Sequence, residues 1–190
     1  MNRRTLTLSL LALSASASLS LGGCGFQLRQ SPTMVFSSIQ LTGFEANSPF
    51  AAELARALED SGVAVVDSTA AAAALGAATG VTGVQALQSH VVLESLSDQR
   101  EQAVASTTSF GQVREMSLRT RFQFRLTHAN GSIVIGPTEL VLNNDLSFNE
   151  KDALAKMDES AALHRAMQTD LVAQVMRRLA VLRAAQLATP

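Results

Sequence analysis

The side chains in this sequence able to do chemistry are few and scattered: one cysteine, three histidines, an acidic pair and three arginines in one short segment. Cys24 could act as nucleophile, metal ligand, disulfide half or modification site, but a lone cysteine has no partner within its own chain. His90, His128 and His164 are far apart and in no metal-ligand spacing, so each reads as a structural or surface histidine. Asp158 and Glu159 are neighbours, and adjacent helix positions point apart, which suits a solvated face rather than a catalytic pair. There is no Gly-x-Ser-x-Gly, no His-Glu-x-x-His and no phosphate-binding loop; the glycines between 76 and 83 have no lysine to accompany them. No nucleophile, base and orienter are assembled by any motif. Arg119, Arg121 and Arg125 differ, because they fall on one parity of a single alternating segment. Alternate side chains of a strand lie ~7 Å apart on one face, so these guanidiniums need something negative opposite them. Carboxylates on neighbouring strands, such as Glu94 or Glu139, would make a solvated charged face. Phosphates or acidic groups of a ligand or partner would satisfy the same need.

The elements that must position these groups follow from periodicity. Residues 113–127, "VREMSLRTRFQFRLT", alternate strictly: Met116, Leu118, Thr120, Phe122, Phe124 and Leu126 on one face, Glu115, Ser117, Arg119, Arg121, Gln123 and Arg125 on the other. Asn130-Gly131 then predicts a tight hairpin, and residues 132–148 return antiparallel with a break at Gly136-Pro137. Upstream, 34–44 and 85–97 read as strands, 63–67 as a short β-type run, and 98–112 as a polar hairpin region. Ser48-Pro49 opens a helix stopped at Gly62. Residues 68–83 combine helix-favouring alanines with three glycines and read as a loose, partly helical connection. A long helix runs from about Asn149 to Gln186, with Met167, Leu171, Val175, Leu179 and Leu182 as its apolar stripe. This order predicts an α+β fold: a two-layer α/β sandwich with a mixed, mostly antiparallel four-stranded sheet, two helices packed on one face and the other face relatively open.

The lone cysteine has its own context. Arg3 and Arg4 precede the apolar stretch "TLTLSLLALSASASLSL", and no acid occurs before Glu45, the layout of a secretory leader. Its many serines make it a poor permanent span, since each hydroxyl in hydrocarbon needs a partner. The stretch ends in Leu21-Gly22-Gly23-Cys24, which resembles the lipobox of bacterial lipoproteins. That resemblance implies removal of residues 1–23, an S-diacylglyceryl thioether on Cys24 and acylation of its new amine, with no other cofactor and no metal. Several acyl chains on one residue anchor stably where one does not. Gly25, rather than Asp, follows the cysteine, which by resemblance to lipoprotein sorting implies the periplasmic face of the outer membrane. Residues 24–33 then form a lipidated tether, 34–186 a single domain and 187–190 a tail. The mature chain would carry 13 Lys and Arg against 16 acids and contains no Trp or Tyr, which argues against nucleic acid as a partner.

Two segments carry a more specific likeness. "CGFQLRQ" at 24–30 resembles the Cys-Gly-aromatic-x-Leu-Arg opening of the lipopolysaccharide-assembly lipoprotein family LptE, and "ALAKMDESAALHRAMQTDLVAQVMRRL" at 153–179 resembles that family's long C-terminal helix. The resemblance implies a non-enzymatic α/β sandwich that plugs and helps assemble the β-barrel protein LptD. The pair would form the translocon that places lipopolysaccharide (LPS) in the outer leaflet. It also implies LPS contact at Lys156, which matches the family's Leu-Ala-Lys position. A base near the Gly111-Gln112 hairpin is expected as well, and Arg114 is the nearest. Arg119, Arg121 and Arg125 are further candidates for the same ligand. The alternative is an auxiliary lipoprotein of another envelope lipid-transport complex; an envelope hydrolase is the poorest reading.

Overall fold

The strict alternation of residues 113–127 makes a strand that is apolar on one side only, and this strand becomes the hydrophobic floor of the domain. A computed structural model describes residues 33–183 and residue 187, all within one compact unit. The leader 1–23, Cys24, the tether up to Pro32 and most of the tail lie outside the described residues. The elements are β1 (Ser38–Thr42), α1 (Pro49–Asp60), β2 (Ala64–Val65), α2 (Thr69–Ala78), α3 (Gly83–Gln88), β3 (His90–Thr107), β4 (Val113–His128), β5 (Ile133–Ser147), a 3-10 turn (Glu150–Asp152) and α4 (Ala153–Ala180).

The sheet order is β2-β1-β3-β4-β5. β1 pairs in parallel with β2 and β3, and the β3-β4 and β4-β5 pairs are antiparallel. The mixed, mainly antiparallel α+β class is as expected, but among the described residues the sheet has five strands rather than four, and there are four α-helices rather than two. The fifth strand is a two-residue edge inside the 63–67 run that reads as β-type, and the count of four leaves out only its place in the sheet. The segment 68–83 folds into α2 and opens α3, each started by a hydroxyl: Ser68 Oγ accepts from the Ala71 N–H, and Thr82 Oγ1 from the Gln85 N–H. Gly80, at φ +76°, makes the break between them.

One face of the sheet holds the core. Ile39, Val91, Leu93, Phe122, Phe124, Leu126 and Leu140 pack against Phe50, Leu54 and Leu58 of α1 and Leu171, Val175 and Leu179 of α4. The even-numbered residues of β4 from Leu118 to Leu126 are all buried, as the alternation required. Phe122 stacks on Phe50 with ring centroids 4.2 Å apart, and Phe44 and Phe124 flank it at 6.0 and 5.7 Å. α1 starts on Ser48, whose Oγ accepts from the Ala51 N–H, and its chain reverses at Gly62 with φ +84°.

The opposite face is open only in part. Ser38 and His90 sit opposite the core face and are nonetheless buried, where α2 and α3 contact β1 and β3. The two small helices meet so closely that a Cβ on Gly76 would stand 2.3 Å from the Ala86 Cβ. Two strand expectations also shift. Residues 85–88 are helical, and β3 runs on through the expected hairpin region to Thr107, leaving a turn at 108–112 closed by a bond from the Thr108 N–H to the Gln112 carbonyl. The long helix is shorter than its pattern suggested. Asn149 Oδ1 accepts from the Lys151 N–H and caps the 3-10 turn, and α4 proper ends at Ala180.

Candidate functional site

The open face of β4 carries the arginines, and the sheet register gives each a neighbour. Arg125 lies opposite Glu94, and its Nε donates to Glu94 Oε2 at 2.6 Å. Arg121 Nε lies 3.2 Å from Glu139 Oε1, without the alignment of a hydrogen bond. Arg119 faces Glu101 and Asn143 across the ladder and, among the described residues, makes no ion pair. The same face carries Glu115 and Asp145. Three arginines thus stand among five acids, so the face as a whole is not cationic. The structure realises the cross-strand carboxylate arrangement with the two acids the spacing had suggested. These pairs are partly exposed, where an ion pair contributes only about 0–1 kcal/mol.

Lys156 and Arg114 lie elsewhere, and together. The Arg114 carbonyl accepts from the Phe148 N–H, and Ser147 pairs with Glu115. Lys156 Nζ reaches the same strand end, 3.4 Å from Ser147 Oγ and 2.7 Å from Glu159 Oε2. Strand alternation turns Arg114 to the face of Met116 and Leu118, away from the other three arginines. Large apolar side chains share this end of the molecule: Phe110, 91% exposed at the hairpin tip, with Leu154 and Met157 on the first turns of α4 and Val104 on β3. Cations beside exposed apolar groups suit a ligand with both phosphates and acyl chains.

A polar cluster that periodicity did not reveal lies on the helix side of the sheet. The β3-β4 register slips between Ser95 and Ser97, a bulge that turns Asp98 and Arg100 towards the helices. Arg100 Nη2 donates to Gln168 Oε1 at 2.6 Å, and Gln168 Nε2 donates to Glu53 Oε2 at 2.6 Å. Thr169 Oγ1 donates to the other Glu53 oxygen at 2.7 Å. This chain of bonds ties β3, α4 and α1 together. Beside it is a cleft of about 510 Å³, lined by the 43–49 loop and by residues 95–98 and Arg100. Desolvation there holds the Asp98 carboxyl above its ordinary value, opposed by the Arg100 charge and reinforced by Glu45. The signal available in the sequence was Gln168 itself, a polar residue next to Met167 on the buried stripe.

The histidines do not converge. His90 is fully buried, with Nδ1 3.0 Å from Ser38 Oγ, and burial lowers its pKa while a hydrogen bond to the Ser38 backbone opposes the shift. His164 on α4 is lowered by burial and then by the Arg100 charge. His128 is buried where the end of β4 pairs with β3. Among the described residues no group of three or more metal-ligating side chains comes together, and no helix is long and apolar enough to cross a membrane.

The architecture and these surfaces can be set beside known proteins. The model of the family described as LptE, lipopolysaccharide-assembly, matches residues 36–179. The chain belongs to the LptE family. An uncharacterized lipoprotein B from Nitrosomonas europaea is 25% identical, with a TM-score of 0.65, over 86% of this chain and 95% of that one. Rare lipoprotein B from Shewanella oneidensis, 17% identical over 75% and 93% of the two chains, has a TM-score of 0.58. A minor lipoprotein from Acinetobacter baumannii, 15% identical over 77% and 92%, also has 0.58. The last two likenesses are of fold alone. A search of curated proteins finds no significant match. The LptE match runs from the buried Phe36 to Leu179 at the end of the α4 stripe, so it takes in both helices of the core and the whole sheet.

Proposed function

We propose that this LptE-family chain is an outer-membrane lipoprotein, acylated on Cys24, that seats within an LptD-like β-barrel and helps that barrel deliver LPS to the outer leaflet. The observation that carries the reading is the family match across residues 36–179. Three features support it. The open sheet face is polar, with its arginines matched by carboxylates, and such a surface can hydrogen-bond against the polar interior of a barrel. The tip gathers Lys156 and Arg114 beside exposed Phe110, Leu154 and Met157, a surface able to hold phosphate and acyl groups together. Arg119 is the strand arginine readiest for a ligand, while Arg121 and Arg125 would have to exchange carboxylate partners. The lipobox-like run before Cys24 supplies the anchor on the periplasmic side. In this reading the chain works by fit and by binding, without catalysis and without a cofactor beyond its own lipid.

The test is an affinity pull-down of the tagged chain from detergent-solubilised envelope, read by partner mass. Recovery of a large barrel protein is expected. Recovery of an inner-membrane transport complex would instead favour the auxiliary reading, and no barrel on repeated capture would reject the plug. For the ligand, Lys156→Ala combined with Arg114→Ala should weaken binding of purified LPS while leaving the fold intact. Unchanged LPS affinity would remove these two residues from the site.

A further inference from the structure

The long strands give the domain two distinct ends. β4 alone spans 16 residues, about 50 Å at strand rise. Lys156, Arg114 and Phe110 mark one end. The other is fixed by the register: Ser38 pairs with Ala64 and His90, Val91 with His128, and Thr127 with Ile133, so the start of β1, the β4-β5 turn and the start of β5 lie together. α4 finishes here as well. Arg177, Arg178, Gln174, Val181 and Leu182 line one groove of about 530 Å³ with Ile135. Both arginines are exposed, and Val181 and Ile133 are 77% and 66% exposed.

This is also the end at which the chain enters the domain. Thr33 follows Cys24 by nine residues, a covalent reach of at most about 30 Å. We infer that the Arg177–Arg178 end, with Ile133 and Val181, docks on the anionic phospholipid surface of the membrane that holds the lipid anchor. The inference rests on the lipid-anchor reading of Cys24 and adds a second, non-covalent contact to it. The chemistry is that of an interfacial site: guanidiniums meet lipid phosphates, and the neighbouring aliphatic side chains enter the headgroup layer. The opposing charges at this end are Glu59 and Asp60, which close α1. α1 packs beside α4 as well as against β2, so these two acids stand on the neighbouring helix. Neither acid forms an ion pair with Arg177 or Arg178 among the described residues, so both guanidiniums stay available to lipid phosphates. Asp170 stands two helical turns, about 10 Å, before Arg177, and Glu139 about 13 Å along β5 from Ile135.

The mature, acylated chain offers a clean test. Acylation consumes the only cysteine, so Val181→Cys supplies one free thiol for a polarity-sensitive fluorophore, and Leu154→Cys supplies a control at the far end. The labelled protein is reconstituted into vesicles of phosphatidylcholine alone or of phosphatidylcholine with phosphatidylglycerol. The Val181 position should report an apolar environment only in the anionic vesicles, and the Leu154 position should report water in both. Arg177→Gln and Arg178→Gln should each move the docked fraction about fivefold towards the free domain, while Arg177→Lys with Arg178→Lys should retain docking. A water-exposed Val181 probe on an acylated chain, or one indifferent to the glutamine variants, would overturn docking and leave the anchor standing. An unmodified Cys24 in the intact mass would overturn both.

Discussion

Replacing Gln168 with leucine should destabilise the fold by about 2 kcal/mol, although it removes no charge and no apolar contact. Gln168 is 7% exposed and bridges Arg100 and Glu53 through two bonds of 2.6 Å. Hydrogen bonds to charged groups contribute about 1.5–3 kcal/mol each. The lower figure applies because Arg100 and Glu53 both keep access to water and can rehydrate, so two bonds amount to about 3 kcal/mol. Leucine recovers about 1 kcal/mol through its own burial. With a urea dependence of about 2 kcal/mol per molar for a domain of this size, the midpoint should fall by about 1 M. Gln168→Glu sharpens the test. It keeps an acceptor for Arg100 but sets a second carboxylate against Glu53, so its loss should exceed that of the leucine variant at neutral pH. The facing carboxylates raise each other's folded pKa, so the folded state binds protons more readily and the loss should shrink as pH falls. A leucine variant that unfolds at the wild-type midpoint, or a glutamate variant whose loss is the same at acidic and neutral pH, would refute the bridge.

Three further outcomes follow from particular contacts. Phe122→Ala, at the centre of the four stacked rings, should cost about 3–5 kcal/mol, whereas Phe110→Ala at the tip should stay within about 0.5 kcal/mol; equal midpoints in denaturant would mean that the packed layer is misplaced. Gly43→Ala should lower the melting temperature sharply, because φ is +76° and the new Cβ would stand 2.3 Å from the Ser95 carbonyl oxygen; an unchanged melt would rule out that approach. For pH, the folded-state pKa values of His90 and His164 lie below the ordinary 6.5. The unfolded chain therefore takes up protons first, and stability should fall as pH drops below about 6.5. Asp98, raised above 3.8, acts oppositely at lower pH, because there the folded state is protonated first. Chemical denaturation at stepped pH should show a shallower decline for His90→Gln, and an identical slope would remove His90 from the account.

What could be read directly from the chain was whatever a single period controls. Phe122, Phe124 and Leu126 alternate because one side of β4 faces the helices, and all three are buried. Met167, Leu171, Val175, Leu179 and Leu182 recur at helical spacing, and they too are buried. The second half of β3 was not visible in this way. Residues 98–107 are largely exposed on both sides and are held as a strand by the β4 backbone rather than by an apolar face. The bulge at Ser95–Ser97 was equally hidden, and with it the turning of Arg100 towards Gln168, since a one-residue slip changes parity without changing composition. The cross-strand partners of Arg121 and Arg125 were legible because the hairpin turn at Asn130-Gly131 sets the pairing of β4 with β5, and pairing β4 with β3 brings Glu94 opposite Arg125. The gathering of Lys156 with Arg114 depends on how α4 lies across the end of β5, which no local pattern encodes.

The outermost strand, β5, has one consequence of its own. Gly136-Pro137 falls where its ladder with β4 slips, between the pairs at Phe124 and Leu126, and a proline has no N–H to offer. Any foreign strand that tried to extend the sheet along this rim would therefore find continuous backbone only from Thr138 onward and would have to stop short of the groove at Ile135. Self-association by sheet extension is curtailed on the side nearest the groove, and a companion that does add a strand here has its register dictated by one imino acid.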